Sequence, residues 1–149
     1  MSAESGVTVR AAQSEDIPHV VEHYGPVGES PWDPFSDAGR MANIPLDGLL
    51  IAEKDGRYAG FLYWFEGHKP WFDKGADRYA ELVKLSVRPE FEGWGVTQLL
   101  FDRFLKEAAE HQVPLLYGAA DETNTAVTHL FDRAEFRPFL RTNHYRKYA

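Results

Sequence analysis

Residues 85–100 read LSVRPEFEGWGVTQLL, and this stretch decides the fold. Leu85 and Val87 close an alternating apolar run, and Pro89 stops the strand because it has no N–H to give a ladder. Gly93 and Gly95 flank Trp94, and from Val96 onward the apolar residues recur at helical spacing. Such a tight strand-to-helix turn has a physical use. The first amides of a helix have no intrahelical acceptor and lie at the positive end of its dipole. Glycine leaves the approach to them open, so a phosphate or pyrophosphate can sit there. A plain tight turn would call for the same glycines. The spacing is neither a loop ending in Gly-Lys-Ser/Thr nor a dinucleotide-binding fingerprint.

Working outward, YAELVKLSV (Tyr79–Val87) reads as a strand. Val96, Leu99, Leu100, Phe104, Leu105 and Ala108 mark one face of a helix that runs to about Glu110. Pro114 precedes a further strand, LLYGAA (Leu115–Ala120), and a helix from about Asn124 to Ala134 carries Val127, Leu130, Phe131 and Ala134 on one face. The tail predicts two short strands, near Arg137–Leu140 and Asn143–Tyr148. Upstream, Leu49–Gly67 reads as a hairpin around Asp55-Gly56, a strong turn signal. VTVRAA (Val7–Ala12) alternates as a first strand, and Ser14, Glu15 and Asp16 open a helix with Ile17, Val20, Val21 and Tyr24 on one side. Pro18 is tolerated there because it falls in the first turn. Two loops remain, Gly25–Gly39, with a short helix near Asp37–Asn43, and His68–Asp77. This order of elements predicts an α+β fold with a mixed, largely antiparallel sheet.

At 149 residues the chain suits one domain, 1–149. No stretch approaches the roughly 18 apolar residues of a membrane span. The opening MSAESGVTV has no basic region followed by an apolar run, so no signal peptide and no membrane partner are expected. The absence of cysteine excludes disulfides and thiolate metal sites and fits a reducing, cytoplasmic compartment. A net charge of −7 argues against a nucleic-acid partner, whose phosphates need a basic face, and weakly favours cationic small molecules. His19, Glu22 and His23 spell His-x-x-Glu-His, an inverted zinc-protease pattern. A further ligand is lacking and the apolar residues already define the buried side of that helix, so a solvated helix face without metal is expected.

LSVRPEFEGWGVTQLL resembles the acyl-CoA-binding segment of the GNAT family of N-acetyltransferases. That family shows a strand, often Leu-x-Val-x-Pro, then Arg/Gln-x-x-Gly-x-Gly/Ala, then a helix. Leu85, Val87, Pro89, Gly93, Gly95, Val96, Leu99 and Leu100 fit, whereas Glu92 replaces the usual Arg or Gln and Thr97 the usual Gly or Ala. VRAAQSED is similar to the family's opening strand and helix, and NTAVTHLFDRAEF (Asn124–Phe136) to its Asn…Ala…Leu-Tyr-x-Lys-x-Gly-Phe segment. The resemblance covers nearly the whole chain and implies a GNAT-like sheet with helices on both faces.

It also implies roles. The strand carrying Leu85, Ser86 and Val87 would part from LLYGAA, and the pantetheine arm of acetyl-CoA would pair with the freed backbone near Leu85 and Val87. The backbone from Gly93 through Trp94, Gly95 and Val96 to Thr97 would hold the pyrophosphate, and Glu92 would stand beside the phosphates, its carboxylate either pointing away or weakening CoA binding. Asn124 matches an asparagine that contacts CoA, although an Asn there also caps a helix without any ligand. The reaction would carry an acetyl group to an amine of a small molecule or peptide. An amine of pKa near 10.4 is protonated at neutral pH, so a base must take its proton. Glu81 matches the strand glutamate that does so in the histone-acetylating branch, and alternation sets it on one face with Val83, Leu85 and Val87. Its ordinary role would be an exposed carboxylate at a strand end.

Phe131 stands where the family often has the tyrosine that protonates the leaving thiolate. A thiol of pKa about 8.5 leaves tolerably unaided, and Tyr117 or Tyr145 could substitute. Glu135 replaces a glycine that serves the helix end, so backbone strain is expected there. Trp32, Phe35, Trp71 and Phe72, with Glu29, Asp33, Asp37 and Asp73, stand in loops that line the acceptor site in the family. They would suit an amine with apolar bulk, or simply anchor the loops. Dimers are frequent in the family, often through the last strands, so a homodimer is an expectation by analogy. Phe131 and Glu92 keep a second reading open, an acyl-CoA-binding sensor or interaction domain with weak or no catalysis.

Overall fold

The computed structural model describes residues 6–27, 34–120 and 123–148. The chain divides into two compact units, Met1–Ala119 and Ala120–Ala149. The first holds a five-stranded sheet in the order β1-β2-β3-β4-β5. Its strands are β1 (Val7–Ala11), β2 (Leu49–Lys54), β3 (Arg57–His68), β4 (Arg78–Val87) and β5 (Leu116–Gly118). Helix α1 (Ile17–Tyr24) follows β1, the short α2 (Ala38–Met41) precedes β2, and α3 (Val96–Glu110) joins β4 to β5. Pairs β1–β2, β2–β3 and β3–β4 are antiparallel, and the crossover through α3 makes β4–β5 parallel. The largely antiparallel sheet expected from sequence is therefore present.

Local chemistry explains the elements. Asp55 and Gly56 both adopt positive φ, 51° and 79°, as the two-residue turn between twisted strands requires. Asp37 caps α2 by accepting from the amides of Gly39 and Arg40. At the start of α1, the nearly buried Asp16 carboxylate takes both prongs of Arg10 at 2.8 Å and the amide of Gln13 at 2.8 Å. That arrangement holds the Asp16 carboxyl below the usual range, with the Arg10 hydrogen bond as the main cause.

Both sheet faces are covered. Val20 and Tyr24 of α1, with Phe35 and Met41, pack on Leu49, Ile51 and Phe61. On the other face, Leu100, Phe101, Phe104 and Ala108 of α3 are buried along with Leu50, Leu62 and Trp64. The Trp64 and Phe104 rings lie 5.7 Å apart, and Trp64 Nε1 donates to Glu107 at 3.2 Å. Arg103 of α3 reaches the Val9 carbonyl of β1 at 3.1 Å, which fixes the helix along the sheet. Each fully buried side chain of this size contributes about 1.5–3 kcal/mol. Among the described residues no helix is long and apolar enough to cross a membrane.

The second unit contains α4 (Thr125–Arg133), which ends in a recognisable cap. Glu135 takes a positive φ of 66°, its amide donates to the Asp132 carbonyl, and the Phe136 amide donates to the Phe131 carbonyl at 2.9 Å. The strain expected at Glu135 is thus real. The two strands expected near Arg137–Leu140 and Asn143–Tyr148 are not formed, since residues 136–148 carry no strand. Alternation proposes a strand, but only a ladder makes one, and Pro138 removes one of the donors such a ladder would need.

Candidate active site

Strand β4 pairs with β3 over its whole length, from Arg78 to Val87. On its other side it pairs with β5 only at Ala80, Glu81 and Leu82, opposite Leu116, Tyr117 and Gly118. Beyond Leu82 the two strands part, and among the described residues no strand lies beside Val83–Val87 on that side. The Arg88 amide donates to the Ala59 carbonyl of β3 at 2.8 Å. Counting back in twos, Ser86 and Lys84 also direct their main-chain groups to β3, so Leu85 and Val87 direct theirs into the opening. Such groups call for partners.

The opening leads to the glycine turn. Pro89–Phe91 form a single 3-10 turn with Phe91 buried beneath it. Gly93 and Gly95 then take positive φ, 86° and 79°, a conformation that costs an L side chain roughly 1–2 kcal/mol. Among the described residues a Cβ at either position would meet no atom within 4 Å, so the space above both is open. Gly95 is the N-cap of α3 and has no side chain with which to cap its first turn, and the Leu99 amide bonds back to the Gly95 carbonyl at 3.1 Å. The amides of Val96 and Thr97 precede that bond and have no intrahelical acceptor. Unused amides, a dipole end and an open approach together fit a phosphate group. Val96 is buried under the turn, Thr97 is half-buried, and Glu92 is exposed. Trp94 is exposed too, with Lys54 Nζ 4.5 Å from its ring centroid.

Glu81 lies at the other end of the opening. Strict alternation would set it beside Leu85 and Val87, and here the structure corrects the sequence reading. Tyr63 pairs with Lys84 but Trp64 with Leu82, so Val83 is an unmatched extra residue. This bulge reverses the alternation. Leu85 lies opposite Leu62 on the α3 face, whereas Glu81 lies opposite Phe65 on the α1 face, with Lys84 and Ser86.

Glu81 is half-buried, and burial pushes its carboxyl above the usual range. Across the parallel pair stands Tyr117, a residue that sequence could not locate. Its ring stacks on Phe72 at 4.3 Å and meets the edge of Tyr79 at 6.5 Å. Burial raises the Tyr117 phenol, and the neighbouring Glu81 charge raises it further, so it keeps its proton at neutral pH. Sequence reading missed Phe65 and Tyr79 as members of this group. Their pairing with Glu81 and Gly67 across β3–β4 is set by register, which leaves no local signal.

The remaining expected residues fall elsewhere. Asn124 and Phe131 belong to the second unit. Asn124 caps α4 by accepting from the Val127 amide at 3.2 Å, and Phe131 packs on Phe136 at 4.9 Å. Tyr145 also belongs to the second unit and is 89% exposed. Of the loop residues, Phe35 is core, Asp37 caps α2 and Asp73 accepts from the Gly75 amide, while Glu29, Trp32 and Asp33 lie outside the described residues.

His23 corrects another expectation. It does not sit on a solvated face: its Nδ1 lies 2.8 Å from the Tyr58 hydroxyl, and its Nε2 lies 3.3 Å from the Ser86 hydroxyl. Burial lowers its pKa, and that of Tyr58 is raised by burial. Among the described residues no group of three His, Asp or Glu side chains could hold a metal ion.

The model of the acetyltransferase (GNAT) family matches residues 17–136. An acetyltransferase of Pectobacterium atrosepticum is 30% identical over 108 residues, which cover 71% of this chain and 70% of that one. A mycothiol acetyltransferase of Propionibacterium freudenreichii subsp. shermanii is 34% identical over 99 residues, 65% of this chain but only 30% of that protein. Among solved structures, the aminoglycoside N-acetyltransferase AAC(6')-Iy in complex with CoA superposes with a TM-score of 0.74 at 19% identity, covering 96% of this chain and 95% of that one. At that identity the likeness speaks for the fold alone.

Proposed function

The chain belongs to the acetyltransferase (GNAT) family and is an N-acetyltransferase, and we propose that it moves an acetyl group directly from acetyl-CoA to an amine of a small molecule or peptide. One observation carries the cofactor half of this reading: the opening that begins where β5 leaves β4 after Leu82 runs along Leu85 and Val87 to the uncapped glycine turn. Acetyl-CoA supplies a thioester, so the acyl carbon gains a bond to nitrogen, loses its bond to sulfur, and a thiol and one proton are released.

The chain's own residues supply binding and proton handling. The main-chain groups of Leu85 and Val87 would pair with the pantetheine arm, with Ser86 tying that strand to α1 through His23. The amides from Gly93 through Trp94 and Gly95 to Val96 and Thr97 would hold the pyrophosphate. The exposed Glu92 can turn to solvent, which removes the charge conflict at this turn. Glu81 would take the proton of the incoming ammonium, and its raised pKa narrows the gap to the amine it must deprotonate. Tyr117, protonated and directly across from Glu81, is the candidate proton donor in place of Phe131.

We also propose that residues 1–149 work as one domain that includes Asn124 and Phe131. The family match, which runs from 17 to 136 across both units, supports that reading. The second reading, an acyl-CoA-binding sensor, draws on Phe131, which has no proton to give and closes its own helix against Phe136.

Calorimetric titration with acetyl-CoA, followed by thiol release across a panel of amines, separates the two. Binding with amine-dependent thiol release supports the transferase, and binding with none above hydrolysis supports the sensor. No binding at millimolar acetyl-CoA would sink both.

A further inference from the structure

The acceptor side of this site has a distinctive composition. Phe65, Trp71, Phe72, Tyr79 and Tyr117 form a continuous chain of rings. Trp71 meets Phe72 at 5.3 Å, Phe72 meets Tyr79 at 5.4 Å and stacks on Tyr117 at 4.3 Å, and Tyr79 meets Phe65 at 6.0 Å. Phe65 and Tyr117 are the two residues directly opposite Glu81 on its flanking strands. The wall is not sealed, since Phe65 is 37% and Trp71 72% exposed. Exposed apolar surface beside a catalytic group is where an apolar substrate gains by burial.

The charge pattern is equally selective. Glu81 has no hydrogen-bond or ionic partner among the described residues, and its raised pKa traces to burial alone. Two described carboxylates of the neighbouring strand and loop have partners of their own. Glu66 pairs with Arg78 at 2.8 Å, and Asp73 accepts the Gly75 amide at 2.8 Å. Among the described residues Glu81 is the carboxylate set directly between two members of the ring chain, Phe65 and Tyr117, and there it offers a seat to one ammonium group. A polycation or a polyhydroxylated amine would press unpaired polar groups against rings, which is unfavourable.

We infer that the acceptor is a primary monoamine carrying an aromatic or comparably flat apolar group, its ammonium at Glu81 and its ring against Phe72 and Tyr117. The inference rests on the reading of Glu81 as the base at the acceptor end. Cation–π attraction from Tyr117 and Tyr79 would hold the ammonium until Glu81 takes its proton.

The test is a calorimetric titration of the intact chain, with and without CoA, which has no acetyl group to transfer, using 2-phenylethylamine, tryptamine, 1,4-diaminobutane and kanamycin. The two aromatic amines should bind at least about tenfold more tightly than the diamine or the aminoglycoside. Phe72→Leu, which keeps an apolar side chain, should weaken the aromatic amines about two- to tenfold, the worth of one aromatic contact. It should leave acetyl-CoA affinity unchanged. Preference for diaminobutane or kanamycin, absence of aromatic-amine binding, or indifference to Phe72→Leu would each overturn the inference. None of those results touches the transferase reading, which stands or falls on acetyl-CoA binding and thiol release.

Discussion

Replacing Gly95 by valine tests the cradle most sharply, because the structure separates its two effects. Gly95 has φ +79°, and a Cβ there would meet nothing within 4 Å. The protein therefore loses no packing, and the cost to folding is the backbone penalty of roughly 1–2 kcal/mol. For a domain of this size that lowers Tm by about 2–8 °C. The cofactor suffers more, since the side chain fills the space through which phosphate oxygens would reach the amides of Val96 and Thr97. Two charge-assisted hydrogen bonds at about 1.5–3 kcal/mol each amount to a loss of about 10²–10⁴ in affinity.

Gly56 is a matched control. Its φ is also +79° and its Cβ would also meet nothing within 4 Å, but it lies in the β2–β3 turn, outside the proposed cofactor-binding residues. Gly56→Val should show the same loss of Tm with near-native acetyl-CoA affinity. Calorimetry and thermal melts on the pair give the answer. If Gly95→Val binds acetyl-CoA as the parent does, the cradle is wrong. Equal affinity losses in both variants would mean that binding responds to general strain and not to the open amides.

Three further predictions concern other residues. Glu81→Gln should lower kcat by about 10²–10⁴ and leave acetyl-CoA affinity unchanged; an unaltered kcat would remove Glu81 from the chemistry. In the parent, a base must be ionised and burial raises the Glu81 carboxyl above 4.5, so activity should fall with decreasing pH at a point above that value, and the limb should vanish in the variant. Burial depresses His23 in the folded state from 6.5, so the unfolded chain binds its proton first. Its contribution to stability is therefore complete above 6.5 and is lost as pH falls toward the folded value. Urea titrations should show that His23→Gln flattens this dependence, and an unchanged slope would assign it to other groups. Glu135→Gly should raise stability by up to about 1 kcal/mol, since glycine adopts the positive φ at that helix end without strain; a lowered Tm would show that the side chain does something the cap geometry does not reveal.

The parts of the fold legible in the sequence are those with local causes. The Asp55-Gly56 turn, the run of α3 from Val96 to Glu110 and the glycine mouth all follow from residues within a few positions of each other. The placement of Glu81 does not. Val83 looks like any strand valine, and only the β3 ladder shows that it is the extra residue. Tyr117 faces Glu81 through the register of a parallel pair whose strands are joined by a whole helix. His23 escaped because a pattern of apolar residues marks the buried side of α1 without asking which polar side chain completes it at Tyr58 and Ser86. The tail misled for the converse reason: it has the alternation of strands but no ladder.

The bulge at Val83 ties these observations together. Pairing with β5 ends at Leu82, and the next residue is the unmatched one. A bulge bends its strand and strengthens the local twist, which is a physical reason for β4 to leave β5 at that point. The same extra residue turns the alternation over. Leu85 therefore lies on the α3 face, while Glu81 lies on the opposite one beside Phe65 and Tyr117. A regular strand would have put Glu81 on the side that α3 covers, where a carboxylate has no access to a polar acceptor. One inserted residue thus accounts both for the opening that would admit the pantetheine arm and for the setting of Glu81 between Phe65 and Tyr117, where the proposed amine would approach.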